Sequence, residues 1–199
     1  MKNLYLVEGL HDSKFLYRIL TRDAVFNPNE IRIFNNSGSR TLKRDGETRE
    51  IRSFLESWSP YSALVKEETS KKTVLQLLNS VCINVTMAKE MPKLVVLFDH
   101  DRKTPHAEFS GIRNTIKSSK KGIDLVQVLT TKHGDIAHSS TYELHKVGRR
   151  GTVPITQIHF FCFYLSLEKA AKREFGSLPI PNLINKMAEL FNAKDVFSP

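Results

Sequence analysis

Two short apolar runs in this sequence end in carboxylates, and those acids are where chemistry is most readily placed. Leu4, Tyr5, Leu6 and Val7 lead into Glu8-Gly9, with Asp12 close behind; Leu94, Val95, Val96, Leu97 and Phe98 lead into Asp99-His100-Asp101-Arg102. If Glu8, Asp99 and Asp101 meet in space, they repel one another, and either their pKa values rise or a cation neutralises them. All-oxygen donors in a cleft that admits water suit Mg²⁺, with Mn²⁺ as the usual substitute. Such a centre, ringed by basic residues, fits metal-assisted handling of phosphates.

The elements that must position these acids follow from the runs themselves. Each is short, apolar at successive positions and bounded by polar residues, as expected of a strand buried on both faces of a parallel sheet. In such a sheet the C-terminal ends of different strands share one edge, where ligands of open α/β folds bind. Glu8, Asp99 and Asp101 are therefore expected to converge, although they lie far apart in the chain.

The pattern Val7-Glu8-Gly9 with Asp12, followed by a later strand ending in Asp99, Asp101 and Arg102, resembles the Toprim domain of topoisomerases, bacterial-type primases and several nucleases. The resemblance covers roughly residues 1–132. It implies an α/β fold with a mainly parallel sheet flanked by helices, and a smaller C-terminal extension over 133–199 packed on the same domain. It also implies that Glu8 acts as general acid or base or as a metal ligand, and that Asp99 and Asp101 hold Mg²⁺ during phosphodiester chemistry. Asp12 matches an acid that the nuclease branch uses around a second metal. Glu168, in a Leu-Glu pair after another apolar run, is similar to an acid found at a comparable place in small nuclease-like members. Each of these two has a second reading. Asp12 can instead be an N-cap or first-turn acid of a helix, and Glu168 a first-turn acid favoured by the helix dipole.

Composition sets the bounds. The 199 residues are 40% apolar and 26% charged, ordinary for a folded chain of one domain or one domain with a lobe. A formal charge of +9 is not ordinary and favours an anionic partner, nucleic acid first. Cys82 and Cys162 lie in apolar segments without a C-x-x-C pair, so they are expected to be buried and not to ligate zinc. No apolar run approaches membrane-spanning length and no leader-like N-terminus is seen, so a cytoplasmic protein is expected.

Further along, Asp12-Ser13 is expected to start a helix running to about Arg22, with Phe15, Leu16, Ile19 and Leu20 inward. His11 reads as a solvated loop residue. Glu30 to Phe34 reads as a strand opening onto a basic loop through Gly46. In it, Arg40, Lys43 and Arg44 supply donors for phosphate oxygens, unless it is only a solvated connection. Helices are expected near 47–58, 73–89 and 107–117, with Trp58 in the core or at an interface. Arg102 and Lys103 form a second basic loop at the same edge, suited to gripping phosphate or to pairing with the acids. Ile123 to Leu129 reads as a strand, after which His133, Asp135 and His138 form a weaker candidate metal set. Thr141 to Pro154 resembles a mobile basic loop, Gln157 to Leu165 a strand, and the remainder two helices.

The expected function is Mg²⁺-dependent phosphodiester chemistry on DNA or RNA, most simply nuclease-type cleavage. The alternatives are a non-catalytic Toprim module that binds nucleic acid or nucleotide beside a protein partner, and a small-substrate phosphohydrolase. Topoisomerase activity would require a tyrosine from a further domain and a gate.

Overall fold

The computed structural model describes residues 2–34, 42–56, 58–85, 91–99, 105–119, 122–149 and 151–197. The side chains at 42–48, 84, 105, 106, 108 and 119 are outside that description. The protein is an α/β fold built on a mixed, mostly parallel seven-stranded sheet.

The parallel part is formed by β1 (Asn3–Val7), β2 (Ile31–Phe34), β3 (Ala63–Glu67), β4 (Lys93–Asp99) and β7 (Gly151–Phe163). The two runs read as buried strands are β1 and β4, and they pair directly in parallel, Val7 opposite Leu97. The antiparallel part is a meander of β5 (Ile123–His133), β6 (Ala137–Gly148) and β7, giving the order β2-β3-β1-β4-β7-β6-β5. Thus β7, from the C-terminal third, sits directly against β4, with Asp99 opposite Phe163.

Alternation along the central strands sorts their side chains into two cores. Leu4, Leu6, Leu94, Val96, Phe98 and Phe160 pack under α2 (Leu42–Leu55), α3 (Lys71–Val85) and α4 (Pro105–Ser119). Tyr5, Val7, Val95, Leu97, Phe161 and Phe163 pack under α1 (Leu10–Arg22), α5 (Leu167–Phe175), α6 (Ile180–Glu189) and α7 (Ala193–Phe197). The second core is aromatic. Phe161 lies edge-on to Phe163 and Phe191, both at 5.3 Å between centroids, and Phe15 packs on all three. Each such pair adds about 0.5–1.5 kcal/mol beyond its buried area. Arg22 ties α1 to the C-terminal helices, donating to the carbonyls of Ala188 and Phe191 at 2.6 Å each.

Several expectations are corrected. β3 was not anticipated, because its apolar residues are few and its last two, Lys66 and Glu67, are charged yet buried. The stretch from Thr141 to Pro154, expected to be a mobile loop, instead lies mostly in β6 and β7, whose ladder runs to Gly148 opposite Gly151. α2 begins at Leu42, so Lys43 and Arg44 stand in a helix where a loop was expected, because the turn of that helix starts earlier than its apolar periodicity. Trp58, expected in the core or at an interface, is 72% exposed beyond the end of α2.

Candidate acidic site at the C-terminal edge of the sheet

Parallel pairing brings the ends of β1, β3, β4 and β7 to one edge, since Val7 is level with Glu67 and Leu97, and Asp99 with Phe163. From adjacent strands the chain then leaves in opposite directions. After β1 it enters α1 on one face, and after β4 it enters α4 on the other. Such divergence opens a crevice between the two strand ends, the usual binding position in this class of sheet.

Glu8 and Asp99 meet there. The Glu8 carboxylate accepts a hydrogen bond from the backbone N–H of Asp99 at 3.2 Å. The Asp99 carboxylate in turn accepts from the N–H of Leu167 at 3.2 Å, the first residue of α5. Ser166 caps that helix, accepting from the N–H of Lys169 at 3.3 Å. An acid is favoured at such a helix start, where N–H groups lack partners within the helix.

Asp12 was read as an N-cap or first-turn acid, or as a ligand. The N-cap position is Gly9 and α1 begins at Leu10, so Asp12 is the first-turn acid, with its side chain buried. Helix formation starts before Ser13 because the Glu8-Gly9 turn is short and the N–H of Ser13 already bonds to the Gly9 carbonyl at 3.1 Å. Burial pushes the Asp12 carboxyl well above its ordinary range; the charges of Asp99, Glu168 and Glu8 push it further, against a hydrogen bond from the Gly9 backbone. Four carboxylates from three separate parts of the chain thus share one electrostatic neighbourhood.

Glu168 occupies the first turn of α5, so its first-turn reading and its place beside the acids both hold geometrically. Its carboxylate is 2.5 Å from Nδ1 of His11. Burial pushes Glu168 upward, yet the His11 hydrogen bond, with backbone and Ser166 contacts, leaves it below its ordinary range. His11, expected to be solvated, is therefore a partly buried member of the site on α1.

Two further features escaped the sequence reading. Lys71, opening α3, donates to the Asp99 carbonyl at 3.3 Å and lies 4.9 Å from the Phe98 ring centroid. On the other face of the sheet, Ser13 of α1 donates to the buried Glu67 carboxylate at 3.0 Å, fastening α1 to β3. The Ser70 and Thr73 capping pair was the signal for α3, and with it for Lys71.

The weaker set of His133, Asp135 and His138 does not form a site. These residues bracket the β5–β6 hairpin, but alternation sends the two imidazoles to opposite faces of the sheet. His133 packs near Phe161 and Phe191, and His138 near Phe109 and Tyr164. Asp135 is exposed and pairs with Lys132.

Asp101, Arg40, Arg102 and Lys103 lie outside the described residues, as do the side chains of Lys43 and Arg44. Among the described residues, no three His, Cys, Asp or Glu side chains stand close enough to hold one metal ion as they are placed. The donor chemistry nevertheless suits a hard divalent cation: the acids offer only oxygen, and Asp12 is buried among like charges that a cation would relieve. Cys82 and Cys162 are buried and not disulfide-bonded, and burial pushes Cys82 up to about 12, so that thiol is not poised to react. No described helix is long and apolar enough to cross a membrane.

Comparison with known proteins adds no relative: no family model, no curated protein and no solved structure matches the chain.

Proposed function

We propose that this protein is a Toprim-like enzyme that cleaves phosphodiester bonds in nucleic acid with the help of Mg²⁺ or Mn²⁺. The observation that carries the reading is the hydrogen bond from the Asp99 backbone N–H to the Glu8 carboxylate, which joins the ends of β4 and β1 beside Asp12, whose carboxyl is raised by burial and by the charges of Asp99, Glu168 and Glu8. The formal charge of +9 supports a polyanionic substrate.

In this reading Glu8, Asp99 and Asp101 would hold one cation, with Asp12 and Glu168 on the side of a second. A bound divalent ion supplies charge stabilisation for the phosphate oxygens and a lowered pKa for an attacking water. The chain's own residues prepare the place. The Glu8 hydrogen bond to the Asp99 N–H fixes the end of β4 against β1, and the start of α5 orients the Asp99 carboxylate. His11 holds Glu168 in one orientation. Lys71 steadies the Asp99 peptide from the opposite side and brings a positive charge to the crevice. Arg40, Lys43, Arg44, Arg102 and Lys103 would contact the phosphate backbone without reading bases.

The test is incubation of labelled single- and double-stranded DNA and RNA with the protein, with and without Mg²⁺ or Mn²⁺. Cleavage is expected only with metal, and Asp99→Ala and Glu8→Gln should reduce it at least about 100-fold, since loss of even an outer-shell partner costs up to that much. Gln at position 8 still offers an oxygen to the Asp99 N–H, so circular dichroism should show an unchanged fold. Salt-sensitive retention of uncut strands, unaltered by either substitution, would replace the enzyme with a binding module acting beside a partner. Turnover of a small phosphate ester with polynucleotides untouched would make it a phosphohydrolase.

A further inference from the structure

Glu168 and His11 join the starts of two helices at the crevice, and that contact fixes how the helices lie side by side. α1 follows β1 and α5 follows β7, two strands that end at the crevice, so both helices begin there and return over the same face of the sheet. Positions three or four apart on a helix lie on one side of it. Lys14 stands three residues beyond His11, Arg18 four beyond Lys14, and Lys172 four beyond Glu168. The three cations therefore continue, turn by turn, the seam that the His11–Glu168 pair opens. All three are exposed.

The seam lacks counter-charges. Among the described residues none of these three cations has an acid partner, whereas Arg22, Arg52, Arg113, Lys132 and Arg173 are each paired with one. The acids on the same two helices are occupied: Asp12 is buried, Glu168 holds His11, and Glu174 holds Arg173. A row of like charges repels itself and attracts an anion that can meet all of its members. Lys14 and Arg18 are separated by about 6 Å of helix axis. A polymer with a charge on every unit can engage the whole row at once, and a single phosphate cannot.

We propose that a strand of nucleic acid leaving the crevice runs along the seam of α1 and α5, with its phosphates held by Lys14, Arg18 and Lys172. Such contacts position the strand without reading its sequence. The proposal rests on the nucleic-acid substrate proposed above and gives that substrate a path, through residues that the cleavage step does not use.

Fluorescence anisotropy of labelled single-stranded and duplex DNA, each about 20 nucleotides long, tests it in EDTA over roughly 50–200 mM KCl. EDTA stops metal-dependent cleavage and leaves the crevice acids repelling the probe, so retention reports on cations outside the crevice. In the combined variant Lys14→Ala, Arg18→Ala and Lys172→Ala, the slope of log affinity against log salt should shrink by about 2.7 on duplex or about 2.1 on single strands, at about 0.9 or 0.7 for each lost phosphate contact. Alanine favours helix and the three positions are exposed, so circular dichroism should show the fold intact. Lys146→Ala, on an exposed position of β6 at the end of the sheet away from the crevice, should leave the slope unchanged. A wild type that retains neither probe overturns the proposal. So does a slope that the combined variant leaves alone, or one that Lys146→Ala lowers by as much. Metal-dependent cleavage with an indifferent slope would sink the seam and leave the crevice reading standing; a reduced slope without any cleavage would do the reverse.

Discussion

Replacing Asp12 by Asn tests whether the acidic site is strained until a cation reaches it. The buried Asp12 carboxyl is raised by its burial and by three neighbouring acids, so the folded state binds this proton more tightly than the unfolded chain does. The sign follows from linkage. As pH rises from the ordinary aspartate value near 4, the unfolded chain releases the proton first, and stability falls until the raised folded pKa is passed. Each unit of elevation inside that window corresponds to about 1.4 kcal/mol, or roughly 3–5 °C in Tm for a domain of this size. Asn keeps the shape and removes the charge. In EDTA at neutral pH, Asp12→Asn should melt above wild type, and the gap should shrink as pH is lowered toward 4. Saturating Mg²⁺ should reverse the order of benefit: wild type gains about 2.7 kcal/mol at 100-fold excess over Kd, while the variant gains less. Differential scanning fluorimetry across pH, with EDTA and with Mg²⁺, reads all of this. A variant that is no more stable than wild type in EDTA, with an equal response to Mg²⁺, would refute the reasoning.

Three other outcomes are expected. Burial lowers His159 to about 4 from 6.5, so its folded form resists protonation; stability present above pH 6.5 is lost as pH falls toward 4, by about 2 kcal/mol at pH 5. Urea unfolding of wild type and His159→Gln at pH 7.5 and pH 5 should show that much less pH dependence in the variant. Phe161→Ala, emptying the centre of the aromatic core, should cost about 3–5 kcal/mol by the same assay. Trp58→Ala should change stability by no more than about 0.5 kcal/mol, because that side chain is 72% exposed; a larger loss would mean that it is packed after all.

What could be read from the sequence follows from how each element is buried. β1 and β4 are covered on both faces, so every position from Leu4 to Val7 and from Leu94 to Phe98 is a buried apolar or aromatic residue and the strands announce themselves. β3 is just as buried, but Lys66 and Glu67 satisfy their charges at the strand end, Lys66 through the Glu67 carbonyl and Glu68, Glu67 through Ser13. Burial there is maintained by tertiary hydrogen bonds that no periodicity reveals. β6 hides in the same manner. Ser139, Ser140 and Thr141 are buried between two partner strands, and their hydroxyls bond to His133, Thr130 and His159. A run of hydroxyl residues and histidine reads as a loop until its partners are known. Trp58 misled for the opposite reason: it continues the apolar spacing of α2 past the point where the helix stops.

The site divides along the same line. That Glu8 and Asp99 should meet required only that two buried strands run parallel and adjacent, and the residue patterns carried that much. That Asp12 is buried, that His11 holds Glu168, and that Lys71 reaches the Asp99 carbonyl depend on where α1, α5 and α3 begin. Helix starts are set by capping and by contacts distant in sequence. The consequence is a site completed from both ends of the chain. β7 supports β4, and the start of α5 delivers the Leu167 N–H to Asp99 and the Glu168 carboxylate to His11. The electrostatic load on Asp12 therefore depends on the C-terminal third as much as on the two strands that first drew attention. A change that shifts α5 alone would relax it without touching Glu8 or Asp99.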